Sequence, residues 1–314
     1  MVLMTERMTV ANILPPAFIC IVVGTIWSIY VGLHLSPMLQ LRGSLSLRDR
    51  ELYQKGVEQM IISQVLTAMF VICYTRSILG HPGAVPEEPE WLTGQRDCKG
   101  HHEPSETEGL TTREVKTSGE RRFCKWCQRY KPDRTHHCRI CKQCVLRMDH
   151  HCPWIMNCVG FRNHKFFFLL VVYAVLNCGY ITFTIAESVH RTVVEETPPT
   201  NRFLLVLGMM LSIIMGILMT GFLSFHTWLM FQGMTTIEFC EKTLSGSSFN
   251  GSSKGVSYDQ GIWKNMQAVL GPQPYLWLLP MSPPTGDGLY FSSSAAIRKL
   301  KAEPEWTGER ASTP

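Results

Sequence analysis

The sequence predicts an α-helical polytopic membrane protein: four transmembrane helices with a cytosolic cysteine-rich domain between the second and the third. Two observations predict it. The apolar residues of this 314-residue chain are gathered into four blocks, each near the ~20 residues that cross ~30 Å of hydrocarbon. Seven of the twelve cysteines fall between Cys124 and Cys158, inside the polar segment that separates the second block from the third.

The first block runs from Ala17 to Leu35, carries no charge between Arg7 and Arg42, and predicts a helix over about 15–36. It makes a poor signal peptide, because a single early arginine precedes it and no small-residue cleavage site follows. The second runs from Gln59 to Thr75 and extends past a snorkelling Arg76 to give about 57–79. The third, Phe166 to Ala186, predicts about 166–188. The fourth starts at Phe203, has no charge before Glu238, and predicts about 203–230. It is longer than a bilayer needs, so its last turns, His226 to Gln232, are expected to emerge into water. Buried helices of a soluble protein are the alternative, but four such stretches are rare in soluble domains.

The organisation that follows has five parts. Residues 1–80 hold a short lead and the first two helices, and 81–120 form a flexible cytosolic linker rich in Pro, Gly and Glu. Residues 121–165 are the cysteine-rich domain, and 166–232 hold helices three and four. Residues 233–314 are a cytosolic C-terminal region with a Ser/Gly-rich loop at 245–257 and renewed aromatics from Trp263 to Leu279. An Asn250-Gly251-Ser252 glycosylation pattern falls in that loop and, on the cytosolic side, is expected to carry no sugar.

Four spans put both termini and the cysteine-rich loop on one side. That loop carries Arg121, Arg122, Lys125, Arg129, Lys131, Arg134, Arg139, Lys142 and Arg147, whereas the loop after span three carries Arg191 and Arg202 beside Glu187, Glu195 and Glu196. Positive charge stays inside, so the termini and the cysteine-rich domain face the cytosol. The short loop with Arg42, Arg48, Arg50 and Lys55 opposes this bias. Clustered cysteines agree with a reducing compartment, where thiols serve metals or catalysis. The net charge of +5 is modest and suits anionic headgroups or an anionic ligand.

The segment reads Cys124-x-x-Cys127, His136-His137-Cys138-x-x-Cys141-x-x-Cys144, Asp149-His150-His151-Cys152 and Cys158. CxxC steps bring two thiolates to one tetrahedral zinc, and nothing about packing calls for this density of Cys and His. Two such ions take eight ligands. The seven cysteines and His136, His137, His150, His151 and His164 exceed that number, so some of them do something else. Asp149, His150 and Cys152 have the parts of an activated nucleophile. Spacing alone leaves open whether Cys152 is that nucleophile or a ligand.

The run from Asp149 through His150-His151-Cys152-Pro153-Trp154 to Cys158-Val159-Gly160 closely resembles the DHHC protein acyltransferase family. So do Lys131-Pro132-Asp133-Arg134-Thr135-His136-His137-Cys138 before it and Asn163 to Phe166 after it. Thr235-Thr236-Ile237-Glu238 matches the family's TTxE motif, and Asn265 to Gly271 resembles its C-terminal motif with Leu270 in an aromatic position. The family's Asp-Pro-Gly appears here as His81-Pro82-Gly83.

The resemblance implies one zinc on Cys124, Cys127, His137 and Cys144, and a second on Cys138, Cys141, His151 and Cys158. It implies an acyltransferase in which Cys152 takes a palmitoyl or similar chain from acyl-CoA and passes it to protein cysteines, with His150 as base and Asp149 orienting it. Thr236 would hydrogen-bond Asp149, and Trp154 would cover the thioester or anchor in the interface. Lys131, Arg134 and Arg139 are candidates for the CoA phosphates. The implied partners are the bilayer, acyl-CoA and proteins with membrane-proximal cytosolic cysteines, in the Golgi, the endoplasmic reticulum or the plasma membrane. A membrane-anchored zinc module that recruits proteins is the rival reading. Nucleic acid is not an expected partner of a finger tethered between two spans.

Overall fold

The computed structural model describes residues 10–43, 46–92, 114, 121–244, 256–281, 284 and 286–292. Most of the 81–120 segment and the Asn250-Gly251-Ser252 pattern lie outside the described residues.

Among the described residues, four helices are long and apolar enough to cross a bilayer. Helix α1 (Val10–Ile29) continues through a π-helical turn, Tyr30–Leu35, into a last α turn, Ser36–Leu39. Helices α2 (Leu47–Leu79), α3 (His164–Val194) and α4 (Pro199–Phe231) follow. Helix α3 packs along both α2 and α4. Ile21, Val65, Phe183 and Ile217 face outward and are exposed, as expected where lipid rather than water is the neighbour. Small residues allow close approach: a methyl at Gly208 would lie 2.7 Å from the Ile29 side chain.

Helix α2 begins ten residues before the predicted 57, because nothing from Leu47 onward breaks a helix and Asp49 sits in its first turn. Its charged start lies at the end of the bundle away from the cysteine-rich domain. There, buried polar groups find one another, as they must in a low dielectric. His34, in the π-helical turn, bonds Ser188 Oγ at 2.7 Å and Gln59 Oε1 at 2.9 Å. Tyr30 bonds Thr184 at 2.8 Å, and Lys55 pairs with Glu187.

Between α2 and α3 lie three small antiparallel hairpins. Strand β1 (Phe123–Cys124) pairs β2 (Arg129–Tyr130), β3 (His136–Cys138) pairs β4 (Gln143–Val145), and β5 (His150–Cys152) pairs β6 (Asn157–Val159). The two CxxC steps fold alike. The amide of Cys127 donates to Cys124 Sγ at 3.4 Å and that of Cys141 to Cys138 Sγ at 3.3 Å. In each, the next residue, Gln128 or Lys142, turns the chain with φ 52°.

The start of the expected flexible linker belongs to this domain instead. Val85 and Trp91 are buried against Leu146 and Phe161. Ala84 bridges Val145, and Leu92 bridges Arg129. The cause is apolar side chains that the overall polarity of the stretch conceals. His81 also has a local role: its Nδ1 accepts the Gly83 amide at 3.0 Å, a turn bond that a carboxylate is equally able to accept.

The end of α4 is covered on one side only, with Trp228 and Gln232 exposed. His226, Leu229 and Met230 are buried, because the cysteine-rich domain, α5 (Thr236–Leu244) and α6 (Ile262–Leu270) cover it. The chain after α6 is stitched back onto the bundle. Lys165 Nζ donates to Leu276 O at 2.9 Å and Met281 O at 2.7 Å, and Tyr173 donates to Leu278 O at 2.6 Å.

Candidate active site

Side chains alternate across a strand. In β5, His151 therefore points one way, and His150 and Cys152 point the other. His151 joins Cys138, Cys141 and Cys158, while Cys124, Cys127, His137 and Cys144 form a second group. Hairpin register supports both sets, since His137 pairs Cys144 and His151 pairs Cys158.

Each group has three sulfurs and one imidazole nitrogen. The Nδ1 of His137 lies 3.5, 3.2 and 4.0 Å from the sulfurs of Cys124, Cys127 and Cys144. The Nδ1 of His151 lies 3.6, 3.4 and 3.6 Å from those of Cys138, Cys141 and Cys158. Tetrahedral zinc with bonds of ~2.3 Å to sulfur and ~2.0 Å to nitrogen sets such pairs roughly 3.5 Å apart. Both donor sets fit that ion.

Cys152 stands outside both groups. It is 6% exposed and lies beside His150, near enough to influence its protonation. His150 Nδ1 bonds Asp149 Oδ2 at 2.7 Å. Asp149 is fully buried and also accepts the Thr236 hydroxyl at 2.8 Å and the Thr236 amide at 3.0 Å. Burial alone would raise the Asp149 pKa, but its bond to His150 and the nearby imidazoles hold it well below the usual carboxylate range. Burial likewise opposes a charge on His150. Its bond to Asp149, the neighbouring Cys152 and the charge of Asp149 outweigh burial and push the imidazole up to about 9. The result is a strong proton acceptor beside a thiol.

The bundle holds the nucleophile's turn in place. Tyr74 of α2 donates to Trp154 O at 3.0 Å. Asn157, the register partner of Cys152, donates from Nδ2 to Ser77 O, Ile78 O and Gly80 O at 3.0, 3.2 and 2.8 Å. These are carbonyls that the end of α2 leaves without helical donors. Cys152 belongs to one apolar cluster with Ile155, Phe167, Leu170, Val171 and Tyr173, so its sulfur adjoins the inter-helix interior. Trp154 is half exposed and packs its ring 6.1 Å from Phe18 of α1.

Arg134 is not placed for a soluble phosphate. It is 4% exposed, bonds Glu238 through Nε at 2.6 Å and Nη2 at 2.8 Å, and also donates to Gly233 O at 2.9 Å. It clamps the cysteine-rich domain to α5. Arg134→Ala strands a buried carboxylate and is expected to cost about 3–5 kcal/mol, read as a lower unfolding temperature with zinc still bound. Lys131 is half-buried, and Arg139 is exposed. His226 and His164, at the ends of α4 and α3, also reach Asp149. The sequence counts His164 among the surplus donors, but nothing local ties it or His226 to Asp149, since only the packing of three separate elements brings them to that carboxylate.

A family model described as DHHC palmitoyltransferase matches residues 117–243. Probable protein S-acyltransferase 16 of Arabidopsis thaliana is 32% identical over 295 residues, covering 92% of this chain and 96% of that protein. Palmitoyltransferase ZDHHC20 of Homo sapiens is 31% identical over 288 residues, covering 88% of this chain and 75% of that protein. Palmitoyltransferase ZDHHC20-A of Danio rerio is 39% identical over 175 residues, covering 55% of this chain and 48% of that protein.

Proposed function

As the chain belongs to the DHHC family of protein S-acyltransferases, it is a multi-pass membrane enzyme that acylates protein cysteines, and we propose that Cys152 is its nucleophile and acyl-CoA its donor. The observation that carries this reading is that His150, bonded to Asp149, shares with Cys152 the strand face opposite His151.

In the first step His150 takes the Cys152 proton while Asp149 holds the far side of the ring. The sulfur attacks the thioester carbonyl, the carbon–sulfur bond to CoA breaks, and CoA leaves with the proton that His150 returns. In the second step a substrate thiol gives its proton to His150, attacks the Cys152 thioester and carries the acyl group away. The proton then returns to Cys152. Two half-reactions through one covalent intermediate give ping-pong kinetics.

Two structural zinc ions would cross-link the hairpins when bound, one on Cys124, Cys127, His137 and Cys144 and one on Cys138, Cys141, His151 and Cys158. The second set holds His151 and so fixes the register of β5, which keeps His150 and Cys152 on their shared face. An acyl tail gains about 0.8 kcal/mol per buried CH₂, and the apolar cluster around Cys152 offers it a place between α2 and α3. Lys131 and Arg139 remain our candidates for the CoA phosphates.

The charge bias of the loops supports a cytosolic cysteine-rich domain. Pairing of Lys55 with Glu187 removes part of the opposing charge at the far end. The acceptors in this reading are membrane-proximal cytosolic cysteines, in the Golgi, the endoplasmic reticulum or the plasma membrane.

The test is steady-state kinetics with palmitoyl-CoA and a lipidated cysteine peptide. Parallel double-reciprocal lines, and CoA release without acceptor limited to one per chain, are expected. Intersecting lines with no release in the absence of acceptor contradict a Cys152 intermediate. Thr236→Val removes the hydroxyl bond to Asp149 but keeps the amide bond. It is expected to slow transfer about ten-fold with zinc content unchanged.

A further inference from the structure

We propose that Asp149, His164 and His226 form a third metal site, one that takes a zinc-type divalent cation and, when filled, restrains the enzyme by drawing Asp149 away from His150. The inhibitory consequence rests on the catalytic reading above; the binding does not.

The three residues come from three elements: the turn before β5, the first turn of α3 and the last turns of α4. All three are buried, at 0%, 6% and 5% exposure. One ligand atom of each lies within 4.8 Å of the other two. Protein zinc sites with two imidazoles and one carboxylate are a familiar donor set, and imidazole also suits cobalt and nickel. Ligands bonded at ~2.0–2.2 Å sit roughly 3.4 Å apart, so a modest contraction of the cluster completes the site.

A second, independent observation points to a ligand. His164 Nδ1 is buried without a hydrogen-bond partner, and a buried polar atom in that state is costly. His226 does not bond the carboxylate either. Its Nδ1 approaches Asp149 Oδ2 only to 4.0 Å, beyond a hydrogen bond. Phe167, Phe222 and Phe225 enclose its ring edge to face, with centroids at 5.4, 4.4 and 5.6 Å. Two imidazoles beside a carboxylate, neither satisfied by it, are arranged as a cation would use them.

The consequence follows from who shares Asp149. Its Oδ2 serves both His150 Nδ1 and the Thr236 hydroxyl, so a cation on that oxygen displaces one of them. Either change loosens the orientation of His150. The cluster contains no sulfur, which sets it apart from the two thiolate groups in chemistry and in spectrum.

The experiment uses the purified full chain with its two zinc ions and adds Co²⁺ as the probe. The expected result is one Co²⁺ per chain, with weak visible bands and no thiolate charge-transfer band. Acyl transfer should fall at least about ten-fold, part of the ~10⁴-fold that follows when a triad base loses its orienting carboxylate. His164→Phe and the milder His226→Gln, each checked for two zinc ions, should lose the cobalt bands. They should also lose the inhibition, measured against their own cobalt-free rates. No cobalt uptake by the wild type, uptake that both variants retain, or a charge-transfer band showing exchange into the thiolate groups would overturn the proposal. If cobalt binds with those bands and depends on both histidines while no acyl transfer is seen at all, the site stands and the Cys152 reading fails.

Discussion

Cys152→Ser is expected to reduce acyl transfer by more than about 10³-fold, because a nucleophile and its base act as one unit, and to leave two zinc ions bound. The second half of that expectation makes it specific. Cys152 is buried, as are Cys124, Cys138, Cys141, Cys144 and Cys158, and by spacing it is one more cysteine in a row of ligands. Yet β5 turns it with His150, away from the group formed by Cys138, Cys141, His151 and Cys158. An oxygen there still accepts a place in the apolar cluster of Ile155 and Phe167 and leaves every metal donor untouched. Zinc content by elemental analysis and autoacylation rate are therefore expected to separate. Loss of zinc together with activity would mean that the sulfur is a ligand.

Cys138→Ser has the opposite signature and the larger structural effect. Cys138 meets His151, Cys141 and Cys158 in a group whose buried core consists chiefly of the ligands themselves, with Val145 and Met148. Apparent binding free energies of structural zinc are about 10–16 kcal/mol. No apolar core of this size replaces that stabilisation. We expect loss of one zinc ion, loss of order in the β5–β6 hairpin and loss of activity, seen as zinc stoichiometry and rapid proteolysis of the loop. Cys240→Ser, at an exposed position on α5, is expected to change none of these and serves as the control. If Cys138→Ser keeps both ions, the division of ligands is wrong.

The sequence made much of this architecture legible because each signal is local. An apolar block of ~20 residues announces a span by composition alone, and CxxC knuckles are built by four consecutive residues. The Asp149-His150-His151-Cys152 run is also local, but its division of labour is a matter of period two. Once residues 150–152 are a strand, alternation assigns His151 to the metal face and its neighbours to the other.

What the sequence hid depends on contacts between distant segments. Arg134 reads as a surface cation, and only the docking of α5 turns it into the buried partner of Glu238. His226 reads as the wet end of a long span, yet the cysteine-rich domain folds over it. The apolar residues Val85 and Trp91 were masked by the prolines and glutamates around them. Thr236 is the intermediate case. Its motif pointed to Asp149, and its hydroxyl and amide both reach that carboxylate.

The central claim is that one sulfur escapes the metal groups and carries the lipid. The most direct measurement is peptide mapping by mass spectrometry after a brief exposure of the purified chain to palmitoyl-CoA without acceptor. One palmitoyl increment on the peptide bearing Cys152, removed by neutral hydroxylamine, is the predicted result. An increment on a cysteine of either metal group, or transfer to acceptor with Cys152 unmodified throughout, would contradict the account.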